Sequence, residues 1–120
     1  MDENTYISIR CSNGCIRVFK KAIRLLGKPS YIRFFLSNKG KLLAVEPYDK
    51  KTFTSFRVPK NLYSDNGAMV VYSKMLCTAL YSEMGWDEYE LYRIPGKVLY
   101  KERIAIFDLN RAVPYEEDGN

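Results

Sequence analysis

"NGCIRVFKKAIRLLG", residues 13–27, is answered farther along by "NGAMVVYSKMLCTALYSEMG", residues 66–85. Each stretch opens on an Asn-Gly dipeptide suited to positive φ, passes through a short β-branched run, turns helical, and stops at a glycine after an aliphatic or Met residue. The dipeptides lie 53 positions apart and the glycine stops 58 apart, so the second helix should be five residues longer. That is about one and a half turns at roughly 3.6 residues per turn. Turn, strand, helix, glycine and hairpin recur in one order, which points to an internal repeat. These are also common enough words to recur by chance.

Working outward, "YISIR" and "CIRVF" alternate on either side of "CSNG" and read as two strands joined by a tight turn, with Ile7, Ile9, Ile16 and Val18 inward and Arg10 and Arg17 outward. "KKAIRLLG" is a short helix with Ile23 and Leu26 on its buried stripe and Gly27 as its stop. "YIRFFLSNKGKLLAVEP" is a hairpin around "SNKG", with Ile32, Phe34 and Leu36 on one face and Tyr31, Arg33 and Phe35 on the other. In the second half "FRV", the loop "PKNLYSDNG" and "AMVVY" lead to a helix over 73–84. Ser73 is its N-cap, and Leu76, Leu80 and Met84, joined by Met75 and Ala79, are its apolar stripe. "YELYRI" and "RIAIFDL" close the chain as a hairpin turning at "IPGK".

These elements predict a single α+β domain over 1–120, with two βαββ-like pseudo-repeats forming a small β-sheet or barrel with two helices, the second longer. The repeats span about 5–47 and 56–113, with a polar connector at 48–55 and an acidic tail at 114–120.

A composition of 47% hydrophobic and 28% charged residues in 120 supports a packed globular core. The apolar runs are too short for a membrane span, which needs roughly 18 such residues. Residues 1–10 are acidic and then alternating, unlike a signal peptide, so a cytoplasmic protein is expected. Cys11, Cys15 and Cys77 have no histidine to complete a mixed zinc site, and no cofactor or metal is expected. Cys11 and Cys15 flank "SNG", where a cross-strand disulfide is one reading and buried reduced thiols the other.

Charge carries the functional signal. Residues 1–60 hold 13 Lys+Arg against 4 Asp+Glu, net +9, while residues 61–120 hold 6 against 10, net −4. No acidic residue falls between Glu3 and Glu46, yet nine basic ones do: Arg10, Arg17, Lys20, Lys21, Arg24, Lys28, Arg33, Lys39 and Lys41. Cations at loose spacing neutralise phosphates and release counterions, so DNA or RNA is the expected partner. Tyr31 or Phe35 beside Arg33 is placed to stack on unpaired bases. The competing reading is a solvated basic face paired with the acidic half.

"VFKKAIRLLG" followed by "YIRFFLSNKGKLLAVEP" resembles the AbrB-type transition-state regulators and related antitoxins in Lys20, Leu26 and Gly27, at the family's spacing, with the hairpin following. The resemblance covers about 30 residues. Phe19 stands where that family has proline, and Ile23 where it has arginine. The resemblance implies a swapped-hairpin β-barrel that binds DNA through basic residues on strands and hairpin loops, here with both units in one chain.

Glu83, Asp87, Glu88 and Glu90 cluster after the second helix without an accompanying metal, phosphate-loop or nucleophile motif, and read as a solvated acidic loop. Tyrosines gather in the same half, and Tyr89, Tyr92 and Tyr100 are candidates for a protein interface. The expected function is a non-enzymatic nucleic-acid-binding or transcription-regulating module. The alternative is an interaction or structural module of the kind mobile elements encode, forming a homodimer or binding a protein partner through its acidic half. No small-molecule substrate and no membrane enter either reading.

Overall fold

A computed structural model of the chain describes residues 3–37, 39, 41–64 and 67–115. The turn residues Asn38, Gly40 and Asn66 and the acidic residues 116–120, on which several of the expectations above rest, lie outside the described set.

Alternation turns into strands where expected. β1 (Glu3–Arg10) and β2 (Cys15–Phe19) pair around a 3-10 turn closed by Gly14 at φ +65°, and Ile7, Ile9, Ile16 and Val18 are fully buried. α1 (Lys20–Leu25) follows, with Ala22, Ile23 and Leu26 inward and Gly27 at φ +96°. Then come β3 (Tyr31–Ser37), β4 (Leu42–Tyr48), β5 (Ser55–Arg57), β6 (Ala68–Tyr72), α2 (Lys74–Met84), β7 (Leu91–Leu99), β8 (Ile104–Asp108) and β9 (Val113–Pro114).

All the pairings are antiparallel, and they join the strands in the order β5-β3-β4-β8-β7-β1-β2-β6, with β9 added beside β7. The expectation of an α+β domain of two βαββ-like units is therefore overturned. Strands hold 47% of the described residues and form a nearly closed barrel, to which the two helices are minor additions. Each half contributes four main strands, two before its helix and two after. These interleave across the halves, because a lone ββαββ segment leaves its sheet edges unpaired and its apolar face uncovered.

The strand order reads the same after exchange of β1–β4 with β5–β8, and so does the register. Arg93 pairs with Ser8 as Arg33 pairs with Ser55, and Cys15↔Tyr72 is mirrored by Phe19↔Ala68. Two pairs lie on the pseudo-two-fold axis itself: Arg17↔Val70 and Leu43↔Phe107. One ladder breaks the pattern. β1 pairs with β2 across a four-residue link, whereas β5 and β6, separated by residues 58–67, do not pair. That longer link buries Val58 and Leu62 in the same core as α1, filling the seam with side chains instead of hydrogen bonds.

"IPGK" is not a turn. Pro95 and Gly96 lie inside β7, and the chain turns at residues 100–103, with Arg103 at φ +54°. Tyr115 N–H bonds to Leu91 O, so odd-numbered β7 residues direct their backbone groups toward the β8/β9 side. Pro95 falls between β9, which pairs at Tyr92 and Arg93, and β8, which pairs from Gly96 on, where no partner requires its missing N–H. At Gly96 a Cβ would lie 2.2 Å from Ile106 O, so only glycine permits β8 to approach.

In α2, Ser73 Oγ accepts from Leu76 N–H at 3.3 Å, and Gly85 ends the helix at φ +69°. Its buried stripe is Cys77, Leu80 and Tyr81, while Met75 and Ala79, expected inward, face solvent. The stripe is turned toward Tyr81, which bonds at the end of the β1–β7 ladder. Its hydroxyl lies 2.7 Å from both Ile9 O and Glu90 O, joining α2 to β1 and to the approach to β7. Trp86 and Tyr92 stack at 4.0 Å and meet the Tyr81 ring edge-on. Among the described residues no helix is long and apolar enough to cross a membrane.

Tyr81→Phe should lower unfolding stability by about 1–2 kcal/mol through loss of a buried hydrogen bond. Gly96→Ala should cost about 3 kcal/mol or more, because backbone rather than a flexible side chain must yield. Urea titrations of both variants check the ranking.

Candidate nucleic-acid interface

The outer face of β7, β1, β2 and β6 presents side chains in rows set by register, with neighbouring strands about 4.8 Å apart. One row runs Arg93, Ser8, Arg17, Val70, and the next Leu91, Arg10, Cys15, Tyr72. Tyr6 and Phe19 bound the rows, their rings 4.6 Å apart. Ser8 is buried at 5% exposure, and its small side chain leaves a hollow between two arginines. The result is a groove of about 590 Å³ lined by Arg10, Arg17 and Arg93 with Tyr6, Phe19 and Tyr72, and among the described residues no carboxylate lines it.

Arg93 is held by aromatic rings. Its guanidinium carbon lies 4.3 Å from the Tyr6 ring centre and 4.1 Å from that of Tyr115. Its Nε is buried without a hydrogen-bond partner among the described residues, a donor left for an incoming acceptor. β9 places Tyr115 there through Tyr115 N–H to Leu91 O at 2.8 Å. Beyond Phe19 the basic strip continues, as Lys20 and Lys21 line an adjoining depression of about 390 Å³ that shares Arg17 and Phe19 with the groove.

The structure thus brings together four of the nine expected cations. Arg24 and Lys28 are exposed at the far end of α1, with Lys28 Nζ 5.1 Å over the Tyr63 ring. Lys39 is exposed in the β3–β4 turn. Arg33 and Lys41 are taken up by acids. Arg33 Nε donates to Glu46 Oε1 at 2.8 Å while its guanidinium stacks on Tyr48, and Lys41 Nζ pairs with Glu83 at 3.4 Å. Tyr31 and Phe35 share that Arg33 face, outside the groove. Sequence reasoning missed Arg93 because it sits in the acidic half. The signal was present in "LYRIP", where strand alternation turns Arg93 outward as it does Arg33 in "YIRFF".

Of the tyrosines proposed for an interface, Tyr89 is 74% exposed and Tyr100 38%, but Tyr92 is occupied by its stacking on Trp86. Burial raises the Tyr92 hydroxyl's pKa, and the charges of Glu90 and Asp87 add to the effect. Two acids of the cluster are engaged locally, Glu83 with Lys41 and Asp87 accepting from Tyr89 N–H at 2.9 Å. No group of metal-binding side chains occurs among the described residues.

The three cysteines are free thiols, Cys11 and Cys77 buried and Cys15 half-buried at the groove wall. Burial pushes the Cys77 thiol up to about 12, with Cys11 and Cys15 adding and Lys74 opposing. No family model, curated protein or solved structure matches this chain.

Cys77 fixes the sign of a pH dependence. Its folded pKa lies above that of an unfolded thiol, so its stabilising contribution is full below about pH 8.5 and is lost as pH climbs toward its folded value. Burial raises the Tyr81 hydroxyl in the same direction. The urea midpoint should fall between about pH 9 and pH 11, and Cys77→Ala should flatten that slope. In the native protein iodoacetamide should label Cys15 well before Cys77.

Proposed function

We propose that the chain is a small, non-enzymatic nucleic-acid-binding module, regulatory in role and acting in the cytoplasm. The groove of Arg10, Arg17 and Arg93 forms its centre, and Lys20 and Lys21 extend its phosphate track. The observation that carries this reading is three arginines from three adjacent strands in one hollow that no carboxylate lines among the described residues. Guanidinium forks match phosphate oxygens, and the exposed Tyr72 offers a ring face to a base. The two-fold register supports the barrel of interleaved hairpins that the resemblance of residues 15–47 implies, with both units in one chain.

Binding to mixed DNA and RNA fragments should fall steeply with salt, and Arg17→Glu should weaken it by at least about tenfold and reduce the salt slope. Fluorescence anisotropy across a salt series checks both, and absence of binding at low salt removes the proposal.

A second reading, as a homodimer or partner-binding module, is favoured by the open edge of β6. Lys20 N–H to Gly67 O and Ser73 N–H to Gly14 O assign residues 67, 69, 71 and 73 to the β2 ladder, so Ala68, Val70 and Tyr72 direct their backbone groups to the seam. Val70, Tyr72 and Met75 are exposed beside it. Sedimentation equilibrium distinguishes the readings: if association drives this module, the mass doubles and Val70→Lys restores the monomer.

A further inference from the structure

We propose that the chain carries a second anion site, separate from the arginine groove, in which Lys28, Arg57, Lys60 and the Tyr63 hydroxyl bind a single phosphate group.

The cavity measures about 180 Å³ and lies where three segments meet: the chain leaving α1, with Lys28 and Ser30; the end of β5, with Arg57; and the link beyond it, with Lys60 and Tyr63. None of its lining residues lines the groove or the depression beside it. At about 30 Å³ per water it holds roughly six waters, room for a tetrahedral oxyanion but not for a base and sugar together.

Its polar atoms await an acceptor. Among the described residues Lys28, Arg57 and Lys60 have no carboxylate partner and no carboxylate lines the cavity. The Tyr63 Oη is buried and has no hydrogen-bond partner among the described residues. Burial raises the Tyr63 pKa, against the opposing charge of Arg24, so the hydroxyl stays a donor at neutral pH. Three solvent-exposed cations and a hydroxyl donor around a half-open hollow suit a dianionic phosphate, which supplies acceptors to all four.

The backbone holds the walls in place. Val58 N–H bonds to Ser30 O at 2.9 Å, fixing the two segments side by side. Lys28 sits at φ +52°, a left-handed conformation rarely adopted by lysine, with its ammonium 5.1 Å from the Tyr63 ring centre. Such strain persists where surrounding structure imposes it, and it recurs at ligand sites. Asp49 lines the neighbouring depression beside Arg103 and not this cavity.

The test uses the full chain, ¹⁵N-labelled and carrying Arg17→Glu so that the groove's attraction to phosphate is reduced, with inorganic phosphate titrated at constant ionic strength against chloride. Saturable amide shifts at Lys28, Ser30 and Lys60 are expected. Arg57→Gln should raise the midpoint about tenfold, as loss of one charge-assisted hydrogen bond does, and Lys60→Gln should do so severalfold, in proteins whose other amide signals are unchanged. An oligonucleotide with a 5′-phosphate that binds this chain more tightly than its 5′-hydroxyl counterpart identifies a nucleic-acid end as the source. Equal binding of the two, with inorganic phosphate still saturating the site, identifies a free phosphate compound. Shifts that do not saturate, that chloride reproduces, or that both Gln variants leave unchanged overturn the proposal and leave the groove's role standing.

Discussion

The ladder between β1 and β7 is the constraint on which the rest of the molecule depends. Eight consecutive pairs, from Glu3↔Val98 to Arg10↔Leu91, tie the first strand to one more than 80 residues away in sequence. Such a contact gains nothing until a long loop has closed, so it forms only with the core that rewards it. Ile7, Ile9 and Ile94 from its inner face are fully buried, and Tyr81 clamps the ladder's end through the carbonyls of Ile9 and Glu90. The groove exists by virtue of the same pairing, since Arg93 reaches Ser8 and Arg17 only across it.

Strand order and register correspond between the halves, and the surface does not. Arg33 and Arg93 occupy corresponding positions, yet Glu46 neutralises the first while Tyr6 and Tyr115 sandwich the second. Arg17 and Val70 face each other across the pseudo-axis, so the charge at the centre of the repeat belongs to one copy alone. The unpaired β5–β6 seam is a further difference, and Val58, Pro59, Lys60 and Tyr63 of its link line the cavity beside Lys28. Two unlike clusters of cations result, each formed by residues from both sides of the seam or ladder that produces it.

Much of the local structure was legible because it rests on period and on single residues. The inward set Ile7, Ile9, Ile16 and Val18, the Ser73 cap and the Gly85 stop followed from alternation and capping chemistry alone. Errors arose where neighbours from elsewhere in the chain overrode local preference. Pro95 and Gly96 look like a turn in isolation, but β1 pairs along that whole segment, and the close approach of β8 makes the glycine a packing requirement. Met75 and Ala79 fit a helical stripe, but the bond partners of Tyr81 rotated the helix away from it.

The amino-acid sequence by itself determined the alternating strands and the two helices, the inward set of the first hairpin, the order of elements shared by the two halves, and that positive charge concentrates in the first. Those properties depend on neighbours within a few residues. Only the tertiary structure decided which cations act together, because side chains on different strands become neighbours through register and strand order, not through spacing along the chain. It removed Arg33 and Lys41 by pairing them with acids, added Arg93 from the acidic half, and joined Lys28, Arg57 and Lys60 around the Tyr63 hydroxyl.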